Sequence, residues 1–273
     1  MLMPGDDPEQ LVQPATLWQL VSHWIAPEQA DIERAVIYTF HSVIAQGWRK
    51  GRLLLAGDAA HQTPPFLGQG MCAAIRDVAN LAWKLDAVLR GHASESLLDT
   101  YERERSPHVH AFIDLAVRLG DIIQTTDPEA ARQRDAKFKA GQPEMFQFPA
   151  PRLGPGLWQG DDAVVGRVFP QPTLRDGHLL DTRLGLRFAV IGDAAVLAGV
   201  SEATRALWQA HDVVEVEADS DGLRAWLHEH GVHAVMLRPD RYVMGVARSA
   251  AELDTLTDLL PASSTRTQAP VAA

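Results

Sequence analysis

Gly51–Leu85, GRLLLAGDAAHQTPPFLGQGMCAAIRDVANLAWKL, passes from an apolar run to a proline- and glycine-rich loop to a helical repeat, and its reading decides the fold of the chain. Leu53 to Ala56, closed by Gly57-Asp58, predicts a buried strand that ends at a loop. That places the Asp58 carboxylate at the C-terminal edge of a sheet, where ligands of open α/β sheets commonly sit and an acid can accept hydrogen bonds from sugar-type hydroxyls. Pro64-Pro65 fixes the backbone and removes two N–H donors, so the loop stiffens into a wall suited to a flat ring. Gly68-Gln69-Gly70 then allows close backbone approach and opens a helix from about Met71 to Leu89, with Gly91 as its stop. Ile75, Val78, Leu81, Ala82 and Leu85 predict the buried face of that helix.

The first N–H groups of such a helix lack partners and carry partial positive charge. They suit a phosphate or the electron-rich end of a reduced flavin ring, two alternatives that the spacing leaves open.

Upstream, Pro14 to Ala26 carries Leu17, Leu20, Val21, Trp24 and Ile25 at helical spacing, and Val36, Tyr38, Phe40, Ser42 and Ile44 alternate as in an extended strand with one wet face. Downstream, a long helix is expected over roughly Ser96 to Ile123, broken or offset at Ser106-Pro107, with YERERSPH as a solvated face. A shorter helix follows from Pro128. Pro143, Pro149, Pro151, Gly154, Pro155 and Gly156 mark residues 141–160 as a linker or an extended wrap. Beyond it, strands at Arg187 to Ile191, Val213 to Val216, Ala234 to Leu237 and Tyr242 to Val246 alternate with helices at Glu202 to Gln209, Asp221 to His230 and Ala250 to Leu260. The expected organisation is a first unit over 1–140, the linker, a small α/β domain over 161–262 and a disordered tail over 263–273.

With 273 residues, 46% hydrophobic and 22% charged, the chain should fold as a globular protein of two domains. A formal net charge of -10 opposes a nucleic-acid partner. The single cysteine, Cys72, excludes an intrachain disulfide and a cysteine-based zinc cage, and fits a reducing cytoplasm. No apolar run approaches the ~20 residues of a membrane-spanning helix, and the N-terminus lacks the regions of a signal peptide. The expectation is a soluble cytoplasmic protein with no membrane partner. The opening MLMPGDDPEQL, a turn with no capped element before it, reads like the middle of a longer unit.

GDAAHQTPPFLGQGM followed by RDVANLAWKL resembles the second FAD-binding motif of class A flavoprotein monooxygenases, the para-hydroxybenzoate and phenol hydroxylase superfamily. YERERSPHVH, RLGPGL, FPQP and LRPDRYV extend the likeness toward the branch of 3-(3-hydroxyphenyl)propionate hydroxylase, whose last domain is thioredoxin-like. The fold class so implied is α/β (α+β): part of an FAD-binding and substrate domain with long helices, then a thioredoxin-like α/β domain. That domain lacks Cys-x-x-Cys and so has no dithiol chemistry.

The resemblance implies that Asp58 binds the ribityl chain, that Pro65 lines the flavin, and that N–H groups around Gly70 and Met71 hold the pyrimidine edge. Gly57, Gly68, Gln69 and Cys72 complete the implied cofactor-binding set; Cys72 stands where the branch usually has Asn. The implied activity is hydroxylation of a phenolic substrate with FAD, O₂ and NADH or NADPH. Gly-x-Gly-x-x-Gly, the pyrophosphate cradle, does not occur in the sequence, so the likeness implies the C-terminal half of such an enzyme. The alternative is a non-catalytic fragment or a subunit that completes an FAD site with an N-terminal half in trans. No catalytic residue is assigned, although His41 is a candidate base. His228, His230 and His233 are read as helix-end histidines rather than metal ligands, and Asp58 with His61 lacks a third ligand. No nucleophile elbow Gly-x-Ser-x-Gly is present.

Overall fold

The computed structural model describes residues 2–141 and 151–261; the expected tail at 263–273 and much of the expected linker lie outside the described residues. Two short helices, α1 (Pro8–Leu11) and α2 (Pro14–Val21), begin with proline, whose missing N–H costs nothing in a first turn. α2 ends at Val21, short of Ala26, and Trp24 is exposed. Four two-residue strands follow: β1 (Val43–Ile44), β2 (Arg49–Lys50), β3 (Leu53–Leu54) and β4 (His61–Gln62). β1 pairs antiparallel with β4, and β2 with β3.

Two expectations are corrected here. The alternation from Val36 forms a strand only at Val43–Ile44, and residues 32–42 are mostly exposed. Alternating β-branched and aromatic residues make a strand only where a neighbour supplies the ladder. Leu53 to Ala56 is the arm of a small hairpin, not a buried strand, and Leu53 is 74% exposed.

α3 (Gly70–Leu89) packs against α4 (Thr100–Ile123), with Trp48, Leu81, Leu98, Tyr101, Val109 and Ile113 in the core beside them. The expected face of α3 is wrong in its main residues. Ile75 and Val78 are 59% and 55% exposed, whereas Asp77, Asn80 and Lys84 are fully buried. YERERSPH is likewise no solvated face, since Tyr101, Glu104, Arg105 and His108 are all buried. The two helices bury charge against charge, which a count of apolar residues cannot register.

Pro107 sits inside a continuous α4 rather than breaking it. Its missing N–H frees a carbonyl one turn back, and the 151–157 segment packs onto that turn. Gly154 N donates to Glu104 O at 2.9 Å, and a Cβ at Gly154 would stand 2.0 Å from Arg103 O. A Cβ at Gly156 would stand 2.0 Å from Glu104 Oε1, so glycine alone permits both approaches. The described part of the 141–160 segment is thus a closely docked wrap.

α5 (Pro128–Lys139) is capped by the Asp127 carboxylate. The last part contains α6 (Leu180–Leu184), β5 (Ala189–Gly192), α7 (Ala194–Ala198), α8 (Glu202–Ala210), β6 (Val214–Glu217), α9 (Asp221–Glu229), β7 (Ala234–Leu237), β8 (Val243–Ala247) and α10 (Ala250–Thr257). The sheet order is β6-β5-β7-β8, with β5 parallel to β6 and antiparallel to β7. This is the small α/β arrangement that the alternation of elements led us to expect. Ser201, Ser220 and Ser249 cap α8, α9 and α10. Apolar clusters lie on both faces of the sheet, and Trp83 of α3 joins one of them through Phe188, which seats the sheet against the helices.

Candidate cofactor site

A cleft of about 730 Å³ opens at the start of α3. Asp58, Pro65, Gly68, Gly70 and Met71 line it; Gly57, Gln69 and Cys72, also named from the sequence, do not. Asp58 lies in a single 3-10 turn, Gly57–Ala59, rather than at the end of a strand. Pro65–Leu67 is a second such turn, closed by Gly68 at φ 61°. A Cβ at Gly68 or Gly70 would meet no atom within 4 Å, so both glycines face open space. Gln69 precedes α3 without a side-chain cap, leaving the helix's first N–H groups open. The opposite wall is the 38–41 segment, with Tyr38, Thr39, Phe40 and His41.

One buried carboxylate holds this geometry. Asp77 Oδ2 accepts from Gly57 N at 3.1 Å and pairs with His61 Nε2 at 2.6 Å, while Asp77 Oδ1 accepts from Arg105 Nε at 2.9 Å. Burial alone would raise Asp77, but the His61 hydrogen bond and the Arg105 guanidinium outweigh it and hold the carboxyl below its usual range. Asp77 therefore ties the turn carrying Asp58 to α3 and α4. His61 serves as a buried partner of Asp77. Among the histidines of HEHGVH, His230 stacks on Trp226 at 4.5 Å and His233 Nδ1 pairs with Asp193 at 2.8 Å.

A second carboxylate ties this part to the sheet. Glu104 receives Lys84 Nζ at 2.7 Å, Asn80 Nδ2 at 2.8 Å, both terminal nitrogens of Arg238 at 2.8 Å and Leu157 N at 2.7 Å. Arg238 also donates to Asp240 Oδ2 at 2.6 Å. Burial pulls Lys84 down to about 8 despite Glu104, with Arg238 adding to the fall. Burial opposes ionisation of Glu104, yet Arg238 and Lys84 bring it to about 2. Asp77 and Lys84 of RDVANLAWKL, Glu104 and Arg105 of YERERSPHVH, and Arg238 and Asp240 of LRPDRYV meet in these two networks.

Sequence reading missed Gln62, Thr63 and Ala74 as lining residues and placed Tyr38 and Phe40 in a strand. Asp77 was visible only as one letter of a motif. The arrangement fits the ring and ribityl part of FAD: a carboxylate for hydroxyls, open glycines, a proline wall, unpaired N–H groups and aromatic rings opposite. Among the described residues no lysine or arginine lines the cleft, so its described walls offer a pyrophosphate no cation.

The FAD binding domain family matches residues 7–116, and the HcaD C-terminal domain family matches residues 209–262. A probable NADH-specific resorcinol 4-hydroxylase of Rhodococcus jostii is 41% identical over 277 residues, covering 93% of this chain and 51% of the relative. The 3-(3-hydroxy-phenyl)propionate/3-hydroxycinnamic acid hydroxylase of Mycolicibacterium smegmatis is 36% identical, with 93% and 53% covered. Among solved structures, aklavinone-11 hydroxylase with FAD and aklavinone superposes with a TM-score of 0.68 at 24% identity, covering 94% of this chain and 52% of that one. The flavin-dependent monooxygenase PieE with FAD and substrate gives 0.69 at 25%, with 95% and 55% covered. The chain spans about half the length of the relatives it matches. It is a relative of the FAD-dependent aromatic hydroxylases and carries an FAD-binding-domain sequence joined to an HcaD-type C-terminal domain.

Proposed function

We propose that this chain forms the ring-and-ribityl side of the FAD site of an aromatic monooxygenase that hydroxylates a phenolic substrate. The observation that carries the reading is the cleft at the start of α3, where Asp58 and the open helix N-terminus face Tyr38 and Phe40. Bound FAD supplies the redox and oxygen chemistry, with NADH or NADPH as reductant; the name of the R. jostii relative favours NADH.

The chain's own residues bind and orient. Asp58 accepts hydrogen bonds from ribityl hydroxyls, Pro65 walls the ring, and backbone N–H groups at Gly70 and Met71 donate to its electron-rich edge. Gly57, Gly68 and Gln69 shape the backbone that presents them. The aromatic pair Tyr38 and Phe40, with ring centroids 5.1 Å apart, gives the cleft an apolar wall that keeps water from a phenolic ring. His41 offers the cleft an imidazole to accept the phenol proton. Residues 1–140 and 161–262 act as two units, the second structural. The single cysteine and the use of a nicotinamide cosubstrate support a cytoplasmic setting.

Among the described residues none brings a cation to the cleft for the pyrophosphate, so the chain alone should purify colourless and bind FAD only weakly. Fluorescence titration with FAD and with riboflavin tests this. Similar weak affinity for both, reduced at least tenfold by Asp58→Ala, is expected. Tight stoichiometric FAD, or binding indifferent to Asp58, would overturn the reading.

A further inference from the structure

The two buried charge networks do not balance alike. Around Glu104, two carboxylates, Glu104 and Asp240, meet two cations, Lys84 and Arg238. Around Asp77, one carboxylate meets two guanidinium groups. Asp77 Oδ1 accepts from Arg105 Nε, and Asp77 Oδ2 is taken by Gly57 N and His61. Arg76, the residue before Asp77 on α3, lies with its guanidinium over the Phe112 ring at 5.3 Å, and among the described residues no carboxylate pairs with it. With the imidazoles neutral, one positive charge is left over.

Three nitrogens of this network are buried and without a hydrogen-bond partner among the described residues: Arg76 Nη1, Arg105 Nη1 and His108 Nδ1. They belong to one place. Arg105 and His108 stand one turn apart on α4, the His108 ring lies 5.4 Å from the Phe112 ring that carries Arg76, and both guanidinium charges act on the His108 imidazole. The Tyr242 hydroxyl lies 3.2 Å from His108 Nε2. Burial keeps that phenol protonated, so its O–H donates to Nε2, and the hydrogen of the neutral imidazole then sits on Nδ1. Three N–H donors and one uncompensated positive charge thus share a buried corner of α3, α4 and the start of β8. A buried donor without an acceptor and a buried charge without a counter-charge are both costly.

We propose that Arg76, Arg105 and His108 form a binding site for a small inorganic anion, chloride or an ion of similar size and single charge. One negative charge matches the excess, and a small sphere accepts from donors on two helices without displacing either. Arg105 and His108 are buried and Arg76 is half-buried, so the ion exchanges past Arg76 and a larger anion is shut out. Once bound, it ties α3 to α4 beside Asp77. None of the three residues lines the cleft, so the site does not depend on the FAD reading.

The test is thermal unfolding of the whole chain as sodium chloride replaces sodium gluconate, an anion too large for this corner, at constant ionic strength. An ion that binds only the folded chain raises the melting temperature with its concentration, here by roughly 3 °C or more. Arg76→Gln removes a donor and the excess charge at a half-buried position, and should abolish the rise whatever its own starting melting temperature. Arg90→Gln, which removes an exposed arginine just past α3, should keep it. Crystals of the parent chain grown in bromide, which need no variant, should show an anomalous peak bounded by Arg76, Arg105 and His108. Equal melting temperatures in the two salts overturn the proposal, because water would then satisfy the donors. A chloride response that survives Arg76→Gln also overturns it, since the ion would bind elsewhere, the cleft included. So does a bromide map without a peak at this corner.

Discussion

Asp77 shows how a residue outside the cleft sets the cleft's shape. It accepts from Gly57 N, pairs with His61 and receives Arg105, so it fixes the turn beside Asp58 while neutralising a fully buried guanidinium. Asp77→Asn keeps the size and removes the charge. The Arg105 cation would then be buried without a counter-charge, a loss of about 3–5 kcal/mol. Urea denaturation should show the midpoint falling accordingly, and an unchanged midpoint would mean that Arg105 finds another acceptor. The motif around Asp77 was legible in the sequence, but its role was not. A carboxylate on a helix face reads as solvent-exposed until the partner helix is in place.

At the scale of elements, α4 and the 151–157 wrap depend on each other. Pro107 leaves a carbonyl without its helical partner, and Gly154 rests directly on that turn. Gly154→Ala would drive a methyl into the Arg103 carbonyl, which only movement of the wrap can relieve. Such overpacking costs about 1–3 kcal/mol, and the displaced wrap should raise amide exchange at Leu157, whose N–H is held by Glu104. Exchange at Leu157 equal to the parent's would contradict the close docking. The boundaries of α3, α8, α9 and α10 were readable to within a few residues, because serine caps and helical spacing are local signals. The strand expected from Val36 was not, since a strand exists only by virtue of its neighbour.

At the scale of the whole molecule, buried titratable groups join the helices to the sheet and should make stability acid-sensitive. His108 faces the Tyr242 hydroxyl at 3.2 Å and the Phe112 ring, with Arg105, Arg76 and Asp77 around it. Burial first, then Arg105 and Arg76, push it from 6.5 down to about 3, so it is neutral in the folded protein near neutral pH. As pH falls below 6.5 the unfolded chain takes up this proton and the folded one does not until about 3, so stability drops across that window. Glu104 adds to the drop from 4.5 to about 2, where the unfolded carboxylate is protonated and the folded one is not. One such group costs about 1.4 kcal/mol per pH unit. His108→Gln should therefore flatten the pH dependence of urea stability between 6.5 and 4.5, leaving the steeper fall below it. Parallel curves for the two proteins would refute the assignment to His108.

The sequence by itself determined the local units: the Pro-Gly loop before α3, the long helices, and the alternation that becomes the β6-β5-β7-β8 sheet. It also carried the FAD resemblance, because a motif of loop residues keeps its order along the chain. Only the tertiary structure decided which face of α3 is inside. Burying a charged face against α4 and Arg238 is tolerated because its carboxylates and cations pair with one another, and those partners lie as far apart as Glu104 and Arg238. Periodicity registers apolar letters, whereas the core of this junction is made by pairing across the fold. The same pairing turns Ile75 and Val78 outward, beside the cleft that Asp58 and Gly70 line.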